Sequence, residues 1–435
     1  MRTYVKDLKK YIGKEVLLSG FAETIRIQSK IQFIILRDVS GKVQLVIFNN
    51  DKAKKVVGDL SHESVIEVLG RVKEEKQAPG GFEIEVKNLE VLSASEPILP
   101  IPVVEKAQDE TELDKRLDWR FLDLRKETNI LAYKIWTELE HGFREYFLSN
   151  DFIQIHTPKF MDAPSESGAE VFRVDYFKEK AYLAQSPQFY KQMAMAAGFE
   201  KVFEINPVFR AEPSFTARHS TEITMMDFET SYIKSEEELM DYVESLIIFG
   251  VKKVSEKYGK EIKRVYEKGL IIPKKPFPRV TMEEAKKLLK SFKIKSDKEG
   301  DLNQTEENKL SEIIKEKHGS EFVFITDYPI GARPFYHMRR EDKPKLTKSF
   351  DLLWDGIEVA TGSLREHRHD VLVSQAKEKG LDPKSIKHYL EFFSYGVPPH
   401  GGAGMGPARM IMKICGFSNI REAMFLYRGV KRLSP

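Results

Sequence analysis

Two segments decide how this chain folds: Val202-Phe203-Glu204-Ile205-Asn206-Pro207-Val208-Phe209-Arg210-Ala211-Glu212 and, nine residues on, Glu222-Ile223-Thr224-Met225-Met226-Asp227-Phe228-Glu229. Both are rich in β-branched and aromatic residues, which favours strand, loop, strand. A hairpin of this kind places Arg210 at the end of one strand and Arg218-His219 on the loop. Upstream, Ile130, Ile135, Leu139, Phe143 and Phe147 fall near one face of an amphipathic helix over Ile130–Phe147. Downstream, the glycine-rich run Gly401–Gly406 leads into an apolar helix over Met410–Ile414, with Arg409 in its first turn. Strands and helices mix here without βαβ regularity, so the larger part of the chain reads as α+β.

The first hundred residues read differently. Glu15–Phe21, Ile31–Leu36, Val43–Phe48, Ser64–Val72 and Phe82–Leu92 are β-rich, and a short helix near Lys52–Val57 follows the third. Five strands with one small helix after the third predict an OB barrel, a frequent oligonucleotide binder that can equally serve only for packing. Pro97, Pro100 and Pro102 then mark an extended, semi-rigid spacer. Glu236–Ser320 is Lys/Glu-rich and helical, and reads as a solvated insertion without a site. The predicted organisation is a barrel over 1–100, a hinge over 101–129 and a large domain over 130–435.

Bulk composition narrows the choices. With 435 residues, 41% hydrophobic and 31% charged, the chain has the composition of a globular protein of two or three domains. A net charge of +3 does not announce a nucleic-acid binder, although a local basic face can hide in a net count. The single Cys415 excludes an intramolecular disulfide framework and a cysteine-rich zinc site. His219, His367, His369 and His400 match no zinc spacing. No run of 18 apolar residues and no secretory leader is legible, so the expected compartment is the cytoplasm and no membrane partner is expected.

No P-loop and no dinucleotide fingerprint is present. A nucleotide would have to be held by arginines, whose guanidinium forks onto phosphate oxygens. Three stretches offer them: Arg210 to His219; Glu358 to His369, with Glu358, Thr361, Arg365 and His367; and Gly401 to Arg409. Any one of these arginines alone reads equally well as an exposed or ion-paired residue.

Taken together the stretches resemble the class II aminoacyl-tRNA synthetases. Asp151-Phe152-Ile153-Gln154-Ile155-His156-Thr157-Pro158 is similar to motif 1, Phe209 through Glu229 to motif 2, and Gly404-Met405-Gly406-Pro407-Ala408-Arg409 to motif 3. Gln185-Ser186-Pro187-Gln188-Phe189-Tyr190-Lys191-Gln192, Arg365 to Asp370 and Arg116 to Arg125 resemble signatures of the archaeal-type aspartyl enzymes. The resemblance implies a mostly antiparallel catalytic sheet flanked by helices, an anticodon-binding OB barrel and a homodimer built on motif 1. It implies ATP, L-aspartate, tRNA-Asp and Mg²⁺ as partners. Asparaginyl-tRNA synthetases and non-canonical synthetase paralogues share much of this pattern and remain open as alternatives.

Roles follow from the resemblance residue by residue. Arg210 would bridge the α-phosphate and the aspartate carboxylate, and Arg218 and His219 would hold the outer phosphates. Arg409 would take the γ-phosphate and cover the adenine, whose amino group Glu212 would accept. Ala211, Ser220, Gly406, Pro407 and Ala408 would complete the ATP site. Glu358 and Thr361 would place Mg²⁺; the family more often has Ser at the latter position. Lys191 and Arg365 would select the side-chain carboxylate, Glu166 and Gln188 would hold the α-amino group, and Asp227 would orient this network. Phe189, Tyr190 and Thr361 fall within the same implied aspartate pocket. In the barrel, Phe33 and Gln44 would read the central anticodon base, with Arg26 near the same loop. Glu23 and Pro79 stand where discriminating members tend to carry Trp and Lys, which implies a chain that also charges tRNA-Asn. Two departures stand out: Ala408 where an acidic residue precedes the motif 3 arginine, and Leu426-Tyr427-Arg428-Gly429 in place of Phe-Pro-Arg-Asp.

Overall fold

The computed structural model describes residues 2–105, 109–164, 170–213, 216–296 and 298–435. They form two compact units, Met1–Lys126 and Glu127–Pro435. The first unit takes in most of the segment read from sequence as a hinge.

The first unit is a closed barrel of β1 (Glu15–Ile27), β2 (Ile31–Asp38), β3 (Gly41–Phe48), β4 (Val65–Glu74) and β5 (Phe82–Ser93), in the order β1-β2-β3-β5-β4. The predicted small helix is Asp51–Gly58, capped by Asn50, whose side chain accepts from the Ala53 N–H. Alternation along the strands turns Leu18, Ile34, Leu36, Val43, Leu45, Ile66 and Val68 into one apolar core. The segment after the barrel is not a free spacer. Arg125 lies over the Phe21 ring at 4.3 Å and pairs with Glu63 at 3.0 Å, and Ile101, Val103 and Leu122 form a small core of their own.

The second unit is built on an eight-stranded sheet. Its strands are β6 (Ile153–Gln154), β10 (Lys201–Phe209), β11 (Glu222–Ser231), β12 (Arg279–Thr281), β13 (Phe322–Thr326), β14 (Ser349–Trp354), β15 (Ile357–Leu364) and β16 (His400–Met405). The order is β12-β13-β14-β15-β16-β11-β10-β6. Only the two outer pairs, β12–β13 and β6–β10, are parallel. A second, three-stranded sheet holds β7 (Phe160–Met161), β8 (Arg173–Tyr176) and β9 (Glu179–Leu183).

The hairpin predicted from the opening stretch is β10–β11, paired from Lys201↔Thr230 to Phe209↔Glu222. Its period of two separates two chemistries. Phe203, Met226 and Phe228 join the main core with the helices Glu127–Ser149, Glu236–Val265 and Pro407–Cys415, while Ile223, Met225 and Asp227 line a cavity.

The reading of Glu236–Ser320 as a solvated insertion is corrected. Leu239, Val243, Leu246, Ile247 and Val251 bury into the main core, and Arg279–Thr281 is an edge strand of the principal sheet. Leu289, Leu310 and Ile314 build another core with Val323 and Leu353. The Lys/Glu surplus that suggested solvation belongs to the outward faces of long amphipathic helices. No helix among the described residues is long and apolar enough to cross a membrane.

Phe147 concentrates the packing between helix and sheet. It is 1% exposed, and its ring lies 4.7 Å from Phe203, 5.0 Å from Phe152 and 5.6 Å from Phe228. Phe147→Ala should therefore destabilise the second unit by about 3–5 kcal/mol. The measurement is the urea midpoint of that unit's unfolding, and an unmoved midpoint would refute this packing.

Candidate active site

A cavity of about 370 Å³ opens on the face of the sheet away from the long helices. Six separate segments line it, and most residues singled out from sequence meet there. Gln188 and Lys191 come from the helix Gln188–Ala196; Arg210, Glu212, Arg218, His219, Ser220 and Asp227 from the β10–β11 hairpin. Glu358, Thr361 and Arg365 come from β15 and its end, and Gly406, Ala408 and Arg409 from the β16–helix junction.

Four residues singled out with them are placed otherwise. Phe189 is core, 8% exposed and stacked on Tyr389 at 4.0 Å, so it supports the wall from behind. Tyr190 is half-buried outside the lining, and burial pushes its hydroxyl pKa up. Ala211 and Pro407 do not line the cavity; Ala211 donates its N–H to the Glu170 carbonyl, and Pro407 opens a helix. Ser220 does line it, but its hydroxyl is engaged with the carbonyls of Glu222 and Arg428 at 2.9 and 2.8 Å. Glu166 lies outside the described residues.

At one end sit the arginines. Arg210 is loosely held, with Nε 3.4 Å from the Gln185 carbonyl and a guanidinium nitrogen 3.9 Å from Glu212, so its fork remains available to a ligand. Arg409 is anchored more firmly, donating to the Glu358 carbonyl at 2.8 Å. His219 sits 3.7 Å from Glu212; burial, then the Arg409 charge, lower its pKa, so it is neutral at pH 7. Arg218 is paired with Glu307, a residue of the misread Glu236–Ser320 segment. Burial raises the Glu307 carboxyl to about 7 despite that partner.

The deep end is a buried ion network. Lys191 Nζ lies 3.1 Å from Asp227 Oδ1 and 3.2 Å from Glu229 Oε2, and the lysine side chain is 2% exposed. Arg365 donates from Nε to Glu229 at 2.9 Å, and from its two terminal nitrogens to Ser363 Oγ at 2.6 Å and to the Gly402 carbonyl at 3.1 Å. Burial acts to raise the Glu229 pKa, yet Arg365 and then Lys191 hold it below the ordinary value. Asp227 is pushed the other way by burial, against the pull of Lys191, and its Oδ2 has no partner among the described residues. Glu229 was not singled out from sequence. Its signal is Asp227 and Glu229 two apart on one strand, which puts both carboxylates on one face.

Between the two ends lie oxygen ligands. The Thr361 hydroxyl is 2.8 Å from Asp351 Oδ1 and 2.9 Å from Glu358 Oε1. One hydroxyl proton cannot serve two carboxylates at once. Arg333 faces Asp351 at 2.8 Å and lies over the Tyr328 ring at 3.5 Å. Asp351 and Arg333 were also missed; Arg333 stands in irregular backbone, where no periodicity marks it.

The barrel carries its own candidate face. Phe33 pairs with Arg26 on β1 and with Val46 on β3, and Gln44 is two residues before Val46, so Arg26, Phe33 and Gln44 lie on one face. That face is outward: Ile34 and Leu36 belong to the core and Phe33 does not. Glu23 is a buried residue held by Arg37 at 2.7 Å and Lys42 at 2.8 Å, not a solvent-facing loop position. Pro79 is exposed in a turn whose Gly80 and Gly81 have φ of 82° and 80°.

Comparison with known proteins gives the family. Residues 112–428 match the model of the class II tRNA synthetases for D, K and N, and residues 16–92 match the OB-fold nucleic acid binding domain. The chain belongs to the class II tRNA synthetases. Within them it belongs with the aspartate–tRNA ligases. It is 43% identical to the aspartate–tRNA(Asp) ligase of Pyrococcus abyssi, covering 97% of each chain. It is 44% identical to the aspartate–tRNA(Asp/Asn) ligase of Methanopyrus kandleri, covering 97% of this chain and 96% of that one. Among solved structures it is similar to the asparaginyl-tRNA synthetase of Pyrococcus horikoshii complexed with asparaginyl-adenylate. That likeness has a TM-score of 0.93 and 30% identity, over 100% of both chains.

The deep network dictates a glycine. A Cβ at Gly402 would stand 2.2 Å from Glu229 Oε2 and from the Phe228 carbonyl. Gly402→Ala should displace Glu229 and lower aspartate-dependent ATP–pyrophosphate exchange by about 10²-fold, the cost of misplacing a site by about 1 Å. Gly331→Ala, where a Cβ meets nothing within 4 Å, should leave exchange unaltered. Equal rates in the two variants would refute the argument.

Proposed function

We propose that the chain activates L-aspartate with ATP at this cavity and esterifies the product onto both tRNA-Asp and tRNA-Asn. One observation carries the site: Lys191, Arg210, Arg218, Arg365 and Arg409, from four parts of the fold, line a single cavity. Its two ends fit two anions.

In the first step an α-carboxylate oxygen attacks the α-phosphorus, and the bond to pyrophosphate breaks opposite it. Arg210 neutralises the charge gathering there, and Arg218, His219 and Arg409 hold the outer phosphates, so nucleophile and leaving group stay in line. Arg218 must exchange its Glu307 partner for phosphate. Glu212 receives the adenine amino group. In the second step the terminal ribose 3′-hydroxyl of tRNA takes the aspartyl group and AMP leaves.

Mg²⁺ fits the oxygen set of Glu358, Thr361 and Asp351, since Mg²⁺ is held by one or two carboxylates together with substrate phosphates. The two carboxylates sharing one hydroxyl proton support this. No group of three or more His, Cys, Asp or Glu suited to a metal occurs among the described residues. When bound, the ion would neutralise phosphate charge.

The homodimer is proposed on motif 1, Asp151 to Pro158, as the resemblance implies; Ile153 there is exposed. On the barrel, Phe33 offers an aromatic face for an unpaired anticodon base, worth about 1–3 kcal/mol.

Selection of aspartate over asparagine rests on charge. Lys191→Ala should raise the aspartate KM by about a hundredfold, or ~2.7 kcal/mol, while the ATP KM stays within about threefold. Exchange kinetics read both, and an unmoved aspartate KM would overturn the pocket assignment.

Charging of tRNA-Asn is supported by the barrel. Glu23 is tied into its ion pairs and Pro79 carries no donor, so neither reads the third anticodon base. Relatives of both names stand equally near. Aminoacylation of both purified transcripts should give kcat/KM values within about a hundredfold, or ~2.7 kcal/mol, the worth of one good base contact. A larger preference for tRNA-Asp would defeat the proposal.

A further inference from the structure

Behind the deep end runs a chain of three buried polar side chains, Gln188, Gln192 and His400, of which the reaction scheme uses neither Gln192 nor His400. Helical spacing starts it: Gln188, Lys191 and Gln192, at i, i+3 and i+4, share the buried face of their helix. Gln188 Nε2 lies 2.9 Å from Gln192 Oε1, and Gln192 Nε2 lies 2.9 Å from His400 Nε2. His400 Nδ1 lies 2.8 Å from the Pro398 carbonyl. Gln188 is 4% exposed, Gln192 0% and His400 1%.

The far end of this chain determines the near end. A backbone carbonyl only accepts, so His400 Nδ1 carries the proton that faces Pro398. The ring is neutral, because burial lowers its pKa to about 4. Its Nε2 is then an acceptor and demands a donor, so Gln192 must turn its NH₂ toward it. That leaves Gln192 Oε1 on the other side, where it accepts from the Tyr389 hydroxyl at 2.9 Å and from Gln188 Nε2. With its NH₂ committed, Gln188 presents Oε1, its acceptor end, to the cavity it lines. Reversing any one amide would set two donors or two acceptors against each other in a buried setting, where an unmade hydrogen bond is costly.

We propose that Gln192 and His400 are positioning residues: they determine which end of the Gln188 amide faces the cavity and make that wall an acceptor for the α-ammonium group of the amino acid. This rests on the reading of the cavity as the aspartate site. A misoriented Gln188 would turn an NH₂ toward the ammonium, so the relay's effect falls on the amino group alone. The side-chain carboxylate is read elsewhere, by Lys191 and Arg365.

Succinate, which is aspartate without its amino group, separates the two. The experiment measures the aspartate KM and kcat in ATP–pyrophosphate exchange, and the Ki of succinate as a competitor, for wild type, His400→Phe, Gln192→Met and His400→Gln. In His400→Phe and Gln192→Met the aspartate KM should rise about tenfold, the scale of one hydrogen bond to a charged group. The succinate Ki should stay within about twofold, since it samples only the carboxylate contacts. His400→Gln, which keeps an acceptor for Gln192, should recover most of the aspartate affinity. Parallel weakening of aspartate and succinate, or an unmoved aspartate KM, would overturn the proposal. Either of the first two variants decides alone if the other fails to fold. Wild type without aspartate-dependent exchange would overturn the substrate reading itself, which distinguishes that failure from failure of the relay.

Discussion

The site is organised around one buried carboxylate. Glu229 is fully buried and bonded to Arg365 at 2.9 Å, and it lies 3.2 Å from Lys191. Charges this deep are costly to desolvate and are tolerated only when their partners satisfy them. Everything around the triad serves that need. Ser363 and the Gly402 carbonyl take further guanidinium protons, and residue 402 lacks a side chain because none would fit beside the carboxylate. The network keeps two cations, Lys191 and Arg365, at a fixed place on the cavity wall.

From this anchor the rest of the cavity is arranged by distance along the sheet. β11 carries Asp227 and Glu229 inward and Met226 and Phe228 outward, so one strand holds both the ion network and part of the hydrophobic core. The arginines at the other end are held in different ways, Arg409 by the Glu358 carbonyl at 2.8 Å. Arg210 has long, weak contacts, and Arg218 is occupied by Glu307, whose own carboxyl is raised to about 7 by burial. The helix Gln188–Ala196 presents Lys191 to the triad and Gln188 to the cavity wall.

Legibility from sequence followed the physics of each feature. The barrel strands were readable because alternation is a local property, and the β10–β11 hairpin for the same reason. The three arginine-bearing stretches were readable as motifs. Segment 236–320 was misread because its charge sits on helix faces that point outward, while its buried residues are spread over a 3.6-residue period among lysines and glutamates. Phe189 was read as part of the pocket from its place in a signature, but helical geometry turns it into the core behind Gln188. Glu307, Asp351 and Arg333 reach the site region or line it from distant or irregular segments, and nothing in their immediate neighbours marks them.

By itself the sequence determined the two architectures, the family and the identity of the main cationic groups, because strand alternation, helix periodicity and short motifs are encoded within a few residues. Tertiary structure alone decided the pairings. That Lys191 meets Glu229, that Glu229 excludes a side chain at 402, that Glu307 occupies Arg218, and that a carbonyl at Pro398 orients an amide at Gln188 all depend on contacts between residues tens to hundreds of positions apart. The reason is physical: a buried charge or amide is satisfied only by what the fold brings within about 3 Å of it, and no local pattern records that partner.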